Sequence, residues 1–231
     1  MSSTKLISDF FLDLIFPKKC VNCGNFGSFC CEKCREKIKP VFTQACPKCG
    51  KISDKGKWCA GCKGDSCLSG IIIAADYRKG PTKELIHYLK YNSLKEVLPI
   101  LADLLIDQLI NSEFRGEVVI TSVPLHKYRQ NIRGFNQSEI LAKVVAEKTG
   151  FNHEQLLKRI KHKKTQVELS GKERRENLAG VFAPIESKVI FGKTVILVDD
   201  VSTTGTTLEE CAKTLRVSGA RQIWGLVIAK G

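Results

Sequence analysis

The segment VILVDDVSTTGTT, residues 195–207, joins a strand-forming run to side chains that a purely structural strand does not need. Four apolar β-formers lead directly into Asp199 and Asp200, and a turn rich in threonine and glycine follows. Carboxylates at the end of a buried strand are costly unless donors, a metal or a hydroxyl-bearing ligand compensates them. The segment therefore predicts a ligand site where this strand ends.

The turn after the two aspartates is predicted to open a helix and to bind a phosphate. Unpaired backbone N–H groups and the positive end of the helix dipole favour an anion at such a helix start. The neighbouring carboxylates can accept hydrogen bonds from the hydroxyls of a diol. Together with the phosphate-binding helix start, they indicate a site for a ribose 5-phosphate. A purely structural threonine-glycine turn remains an alternative, because such turns are common.

Two other classes of site fit the segment poorly. A P-loop requires a glycine five positions before Gly192, but Ser187 stands there and the Gly-Lys-Thr triplet precedes its strand. Phospho-receiver domains carry their acidic pair early in the domain, whereas here only 31 residues follow Asp200. Both classes are therefore disfavoured.

Strand and helix patterns alternate along the chain after Cys67. The predicted strands cover residues 69–77, 116–124, 195–198 and 221–229. The predicted helices cover residues 82–91, 95–110, 138–148 and 206–217. This alternation predicts an α/β fold with a mostly parallel sheet flanked by helices on both faces. Ligands in such sheets bind at the carboxyl ends of the strands, where the loop of residues 124–137 is also expected.

Ten of the eleven cysteines precede residue 68, and eight of them form four Cys-x-x-Cys units. Two such units supply the four thiolates of a tetrahedral zinc shell. Structural zinc, as one or two ions, is favoured over disulfides, which a reducing cytosol disfavours. Which units share an ion stays open, and Cys30 is an alternative to its neighbour. The predicted ligands are Cys20, Cys23, Cys31, Cys34, Cys46, Cys49, Cys59 and Cys62.

These patterns divide the chain into an N-terminal helix and cysteine-rich module, residues 1–67, and an α/β domain, residues 68–231. Apolar residues are too sparse in the module for a core of its own, so metal binding is expected to fold it. Residues 6–15 show the apolar spacing of one helix face, which indicates a helix packed on its own domain or, alternatively, on a membrane surface.

The N-terminal segment is not expected to be a secretion signal or a membrane span. Asp9 and Asp13 interrupt its apolar run, and no cleavage site of small residues follows. No segment of the chain approaches the roughly 20 unbroken apolar residues of a transmembrane helix. The sequence is therefore expected to be that of a cytoplasmic protein.

Lysine and arginine outnumber aspartate and glutamate by 37 to 24, which gives a formal net charge of +13. A positive field of this size attracts polyanions such as nucleic acids or phosphorylated small molecules. The charge is concentrated in residues 158–164 and 172–175. A solvated basic loop explains such a run taken alone, whereas a neighbouring phosphate site favours a binding role.

The cysteine module is followed by YLKY at residues 88–91 and by VPLHKYRQNIRGFNQS at residues 123–138. In these motifs and their order, the chain resembles the ComF family of competence-associated proteins, which have the fold of type I phosphoribosyltransferases. Residues 195–207 match the phosphoribosyl-pyrophosphate (PRPP) signature of these enzymes. The resemblance covers nearly the whole chain. It implies a zinc ribbon, or two, before the catalytic fold and an association with uptake of transforming single-stranded DNA.

The resemblance also implies roles for individual residues. Asp199 and Asp200 would hold the ribose 2- and 3-hydroxyls, and magnesium would bridge ribose and pyrophosphate oxygens. Pyrophosphate would lie at the loop that ends at Gly134, where planar guanidinium groups pair two oxygens at once. Its implied partners are Arg129 and Arg133. The 5-phosphate would be wrapped by Ser202, Thr203, Thr204, Gly205, Thr206 and Thr207.

Other candidates carry more than one interpretation. Residues 159–177 fall where the fold family keeps a mobile hood, with Thr165, Gln166, Arg174 and Asn177 as candidates. Arg174 is assigned a catalytic role beside the aspartate pair, and an exposed helix face is its alternative. His126 either contacts pyrophosphate or stabilises a turn. Lys90 either faces the phosphates or lies along its helix.

Two functional hypotheses follow. One is a phosphoribosyltransferase that acts on PRPP and magnesium with an unidentified acceptor. The other is a non-catalytic module that binds single-stranded DNA, or an adaptor for competence-machinery proteins, and retains the fold. The aspartate pair favours PRPP binding, because a pure DNA binder needs no ribose-diol site. An aromatic content of 7%, without an interleaved stacking ladder, weakens the pure DNA-binding hypothesis. Acceptor and oligomeric state stay open.

Overall fold

A computed structural model of the protein describes residues 17–91, 94–160, 180–185 and 190–231. The predicted N-terminal helix lies outside these residues. So do the four hood candidates, Thr165, Gln166, Arg174 and Asn177, and the side chain of Arg129.

The regular elements alternate along the chain after residue 67. The strands are β1 (Gly70–Asp76), β2 (Val118–Ser122), β3 (Asn152–His153), β4 (Leu157–Arg159), β5 (Phe182–Pro184), β6 (Thr194–Ser202) and β7 (Gln222–Lys230). The helices are α1 (Glu32–Arg35), α2 (Ala60–Lys63), α3 (Thr82–Tyr91), α4 (Leu94–Asn111), α5 (Lys127–Arg133), α6 (Gln137–Thr149) and α7 (Thr206–Val217). A short 3-10 turn covers Asp54–Gly56.

Five strands form one parallel sheet in the order β1-β7-β6-β2-β3. The strands β6 and β7 are at its centre and are apolar over most of their length, as expected for strands that are covered on both faces. The predicted α/β fold with a mostly parallel sheet is therefore confirmed.

Helices cover both faces of this sheet. On one face, α3, α4 and α6 pack on side chains that include Ile72, Ile120 and Ile196. On the other face, α7 and the antiparallel pair β4–β5 pack on Val119, Val195 and their neighbours. In the described part of the chain, no helix has both the length and the apolar character needed to cross a membrane.

The structure differs from the sequence expectation at the central site. The strand that was expected to end at Val198 continues to Ser202, so the two aspartates lie inside β6. Pairing with β7 extends it, because Asp199 lies opposite Val227 and Ser202 lies opposite Lys230. Residues 127–133, which were expected to belong to a loop, form the helix α5.

The cysteine-rich segment extends the sheet beyond β1. Residues 39–41 run antiparallel to that strand, with Val41 N–H donating to Ala74 O (2.9 Å) and Asp76 N–H donating to Lys39 O (2.9 Å). At the other end of the segment, Glu209 of α7 accepts from Ser66 Oγ at 2.6 Å and from the N–H of Cys67 at 2.7 Å. The segment is thus hydrogen-bonded to the sheet and to a helix on its far face.

Gln44 is the buried polar side chain at this junction. Its Nε2 donates to Ile73 O at 2.8 Å and to Gln108 Oε1 at 2.9 Å, while its Oε1 accepts from Ile73 N–H at 3.0 Å. One amide therefore pairs with both backbone groups of a β1 residue and with α4. Removing it would leave several buried polar groups without partners, which is more costly than losing an exposed hydrogen bond.

We predict that Gln44→Ala lowers the free energy of unfolding of the zinc-loaded protein by about 3 kcal/mol, because buried partners are left unpaired. Urea unfolding followed by circular dichroism measures the change. Gln130→Ala, on an exposed position of α5, is the matched control and should change the stability by less than about 0.5 kcal/mol. Equal effects of the two substitutions would contradict this account of the junction.

Candidate functional site

Asp199 and Asp200 lie near the carboxyl end of β6 and are both held by the first turn of α6. Ser138 Oγ donates to Asp199 Oδ1 at 2.8 Å, and Gln137 Nε2 donates to Asp200 Oδ2 at 2.8 Å. The backbone N–H of Asp200 also donates to Asp199 Oδ1 at 2.9 Å. The first turn of α6 thus supplies a side-chain donor to each carboxylate.

Two basic residues complete this cluster. Lys90, on the last turn of α3, places its Nζ 3.1 Å from Asp200 Oδ1. Arg133 donates from Nη1 to Gln137 Oε1 at 3.2 Å, and its guanidinium lies 5.0 Å from the centre of the Tyr91 ring. Lys90 thus contacts the aspartate pair directly, and Arg133 reaches it through Gln137. Both positions are compatible with a phosphate-binding role. Their roles toward a ligand remain predictions.

The RGFNQS segment, residues 133–138, folds into two helix boundaries that place these side chains. Gly134 ends α5 with a left-handed φ of 76°, and its N–H donates to Gln130 O at 2.7 Å. Asn136 caps α6 by accepting from Ser138 N–H at 3.2 Å, and it donates to Val123 O at 3.1 Å. The cap fixes the start of α6 against the end of β2. This explains why Gln137 and Ser138 reach the carboxylates.

Burial and the neighbouring charge raise the pKa of Asp199 from 3.8 to about 7. Desolvation is the larger cause and the Asp200 carboxylate the second, while the Ser138 hydroxyl, the N–H of Asp200 and the Lys90 ammonium act in the opposite direction. Near neutral pH, Asp199 is therefore close to its point of ionisation. A ligand hydroxyl or a cation at the pair would favour the charged form.

The turn after β6 has the geometry that the sequence suggested. Thr203 and Thr204 are exposed, and Thr204 Oγ1 lies 2.7 Å from Thr206 Oγ1. Gly205 precedes α7 with a φ of 76°, and a Cβ there would lie 3.3 Å from Ile71 Cδ1. Both the backbone conformation and the close contact favour glycine at this position. The first N–H groups of α7 have no partner within the helix and can serve an anion.

Three further candidates lie on α5, at its start or at the end of β6. His126 Nδ1 accepts from Tyr128 N–H at 3.0 Å and so caps α5, in agreement with the turn-stabilising interpretation. Ser202 is buried at the end of β6, and Arg129 lies on α5. A contact of these residues with phosphate stays a prediction.

Sequence reasoning did not single out Gln137 and Ser138, although they are the direct partners of both carboxylates. Their position just after Asn136, a preferred helix-capping residue, was the available signal. A polar first turn of a helix that follows a strand end is a frequent place for ligand-binding groups. The aspartate pair that they contact lies more than sixty residues away in sequence, which hides the connection.

The eight predicted zinc ligands form two separate clusters. One contains Cys20, Cys23, Cys31 and Cys34, and the other contains Cys46, Cys49, Cys59 and Cys62. Within each cluster all sulfur atoms lie within 4.8 Å of one another. The Cys23–Cys31 and Cys49–Cys59 sulfurs are each 3.6 Å apart. A Zn–S bond of about 2.3 Å requires a sulfur separation of about 3.8 Å in a tetrahedron, so the arrangement fits zinc.

This grouping resolves the pairing that the sequence left open. Sequential Cys-x-x-Cys units share a cluster, so that each cluster closes its own short ribbon. Cys30 is not among the grouped sulfurs; its Sγ lies 3.9 Å from Cys31 O. Two structural zinc ions per chain follow from the four-thiolate sets.

Two family models match parts of the chain. Residues 11–63 match the double zinc ribbon domain, and residues 137–230 match the phosphoribosyl transferase domain. The first match contains both cysteine clusters. The second contains the aspartate pair, the threonine turn and the first turn of α6.

Three relatives match over most of their length. Competence protein F of Haemophilus influenzae is 33% identical over 228 residues, which cover 93% of this chain and 98% of that protein. The DNA utilization protein YhgH of Escherichia coli K12 is 31% identical over 88% of this chain and 91% of its own. The competence protein ComFC of Bacillus subtilis is 25% identical over 82% of this chain and 78% of its own.

The cysteine clusters predict a defined zinc stoichiometry. The wild-type protein should contain two zinc ions per chain, and Cys34→Ser should contain about one, because a cluster with three thiolates binds the metal more weakly. Cys30→Ser is the matched control and should keep two. Metal analysis of the purified proteins by atomic emission measures the content. Loss of an ion from the Cys30→Ser variant, or none from Cys34→Ser, would overturn the assignment.

The aspartate pair predicts a titration near neutral pH. The carboxyl of Asp199 should titrate near pH 7, and Asp200→Asn should lower its pKa by removing the neighbouring charge. Since the folded state binds this proton more tightly than the unfolded chain, ionisation of Asp199 lowers the stability as pH rises from about 4 towards 7. Carbon-13 NMR of labelled aspartate carboxyls measures the pKa. Asp103→Asn, on the exposed side of α4, should leave it unchanged, and a wild-type pKa near 4 would contradict the prediction.

Proposed function

Since the chain belongs to the ComF family, whose members join an N-terminal zinc ribbon to a phosphoribosyltransferase fold, we propose that it binds PRPP as a magnesium complex. The observation that carries the proposal is the aspartate pair of β6, which α6 holds beside the threonine turn that opens α7. Carboxylates suit the ribose hydroxyls, which are donors, and the turn suits the 5-phosphate, which is an acceptor.

The hydrogen bonds that the carboxylates already accept leave room for a ligand that donates to the same two groups. Ser138 and Gln137 each occupy one carboxylate oxygen, which leaves the pair with further acceptor capacity for hydroxyl groups. A diol that donates to both residues would also favour the ionised form of Asp199, whose pKa is raised in the ligand-free protein. Ligand binding and ionisation of Asp199 are therefore expected to be coupled.

We place the pyrophosphate group of PRPP toward Arg133 and Lys90. Both side chains already lie at the aspartate pair through Gln137 and Asp200. Their cationic groups would stabilise the negative charge that grows on the leaving pyrophosphate. Magnesium, which prefers oxygen ligands, would enter as part of the substrate and neutralise the same charge. Arg129, His126 and Arg174 remain predicted contributors on the sequence argument alone.

We propose phosphoribosyl transfer as the reaction class. Pyrophosphate would leave the ribose carbon through an oxocarbenium-like transition state, and an acceptor base or amine would take its place. The residues described would act by positioning the ribose phosphate and stabilising charge, since no side chain needs to form a bond to the substrate.

The biological role that we propose is the handling of incoming single-stranded DNA in the cytoplasm. The relatives bear the names competence protein and DNA utilization protein over nearly the same length of chain. The net charge of +13 also favours a polyanionic partner. Contacts with proteins of the competence machinery fit the same role.

Binding of single-stranded DNA without turnover is the second candidate function. The excess of positive charge favours it, because a basic surface that follows the phosphate backbone binds single strands without reading their sequence. The compensated aspartate pair favours the PRPP site instead, since a protein that only binds DNA strands needs no acceptors for a ribose diol. Both functions can reside in one protein, and their binding sites can be tested separately.

Calorimetric titration of the zinc-loaded protein with PRPP and magnesium tests the proposed site. The wild-type protein should bind, whereas Asp199→Asn/Asp200→Asn should bind at least about tenfold more weakly, because neutral amides replace the charged acceptors. The control Asp103→Asn/Asp107→Asn removes the same charge from exposed positions of α4 and should bind as the wild type does.

Two results would contradict the proposal. The first is the absence of PRPP binding to the intact protein. The second is equal loss of affinity in the two double variants, since that would assign the effect to net charge rather than to the aspartate pair. Circular dichroism and zinc content of each variant verify that it is folded.

A further inference from the structure

A cavity of about 730 Å³ lies between the first cysteine-rich ribbon and α3. Its volume is within the usual range of small-molecule sites, about 300–1,000 Å³. The ribbon contributes residues around Cys20, the carboxyl end of β1 contributes Tyr77, and α3 contributes most of the remaining wall. The PRPP proposal uses Lys90 of this lining and does not use the side of the cavity that the ribbon forms.

The wall of the cavity is rich in aromatic rings. Tyr77, His87, Tyr88 and Tyr91 line it. The ring of Tyr88 packs 4.7 Å from that of Phe29, and the ring of His87 lies 4.8 Å from that of Tyr91. Tyr91 is 60% exposed, so much of its ring is accessible to a ligand. Rings that are fixed by neighbours and remain partly exposed are suited to contact with a planar ligand.

The same wall carries a positive charge. Lys19, Lys83 and Lys90 line the cavity, and among the described residues of its lining Glu84 is the one acidic residue. A ligand with a planar aromatic part and a negative part therefore matches both features. Nucleotides combine these two properties, and proteins that bind single strands use the same combination of stacking rings and basic side chains.

The cavity is continuous with the aspartate cluster through two residues. Lys90 lines the cavity and also pairs with Asp200 at 3.1 Å. Tyr91 lines the cavity and also supports the guanidinium of Arg133, which contacts Gln137. A group bound in the cavity would thus lie next to the side chains that hold the ribose phosphate in the proposed function.

We propose that this cavity binds an unpaired base of single-stranded DNA, with the adjoining phosphates on Lys19 and Lys83. The base stacks on the Tyr91 ring. The inference rests on the proposed function for its placement beside a ribose-phosphate site, whereas the binding of the base itself depends only on the ribbon and α3. The zinc ribbon thereby contributes a wall of the DNA site in addition to its structural role.

Fluorescence anisotropy with two labelled oligonucleotides of about 15 residues, a length that spans a typical single-strand site, separates base binding from phosphate binding. One is oligothymidylate and the other has the same backbone without bases. The zinc-loaded wild-type protein should bind oligothymidylate about tenfold more tightly at the same salt concentration. Equal affinity for the two would show that only the phosphates are contacted and would overturn the proposal.

Matched variants locate the base. Tyr91→Ala should weaken oligothymidylate binding about tenfold and leave binding of the abasic strand unchanged, whereas Tyr91→Phe should retain the wild-type affinity for both. Phe42→Ala removes another ring, which is 86% exposed and lies between the two cysteine clusters in the sequence, and should have no effect. Equal effects of Tyr91→Ala and Phe42→Ala would overturn the assignment of the base to this cavity.

A second pair of variants tests the phosphate contact. Lys83→Ala should weaken binding of both oligonucleotides several-fold, whereas Lys148→Ala, exposed on α6, removes the same charge and should not. Equal weakening by the two would make the effect one of net charge and would contradict the contact. Saturation of the protein by thymidine 5′-monophosphate without any binding of oligothymidylate would assign the cavity to a free nucleotide and overturn the strand proposal.

Titration of every variant with PRPP and magnesium keeps the two proposals distinguishable. Loss of PRPP binding in the wild type, with the oligonucleotide preference intact, would refute the proposed ribose-phosphate site and leave the base site standing. Absence of a preference for oligothymidylate, with PRPP binding intact, would refute the base site and leave the ribose-phosphate site standing. Zinc content and the urea unfolding midpoint of Tyr91→Ala and Lys83→Ala show that any loss of binding is not a loss of folding.

Discussion

Two adjacent carboxylates inside a central parallel strand are the constraint on which the candidate site depends. A buried charge of this kind must be compensated. Four groups donate to the pair: the side chains of Ser138, Gln137 and Lys90 and the backbone N–H of Asp200. The positions of α3 and α6 relative to β6 therefore determine the site. Desolvation, and after it the charge of Asp200, raises the pKa of Asp199, and a ligand that donates to the pair would favour the ionised form.

The zinc-binding segment is bound into the same architecture. Its residues 39–41 extend the sheet next to β1, Gln44 bridges β1 and α4, and Glu209 of α7 holds the end of the segment. Two four-cysteine clusters give this segment the rigidity that its small number of apolar residues cannot supply. A ribbon fixed in this way can form one wall of a cavity. The other wall is α3, which carries Lys90, the ion-pair partner of Asp200.

Local patterns in the sequence predicted the strand before Asp199, the helix after Gly205 and the eight zinc-ligand cysteines, though not their grouping, because each depends on residues close together in the chain. The length of β6 was underestimated, since its last residues are ordered by pairing with β7 rather than by their own composition. The contacts of Gln137 and Ser138 with the aspartates were missed for a related reason. They depend on the order of strands in the sheet, which brings the start of α6 to β6, and a single sequence does not contain that order.

A crystal structure of the zinc-loaded protein with PRPP and magnesium tests the central claim most directly. The account predicts the ribose 2- and 3-hydroxyls at Asp199 and Asp200, the 5-phosphate at the turn of residues 203–207 and the pyrophosphate toward Arg133. Electron density for the ribose phosphate elsewhere, with the two carboxylates contacting groups of the protein alone, would contradict it. The aspartate pair would then be a structural element of the sheet and not the substrate site.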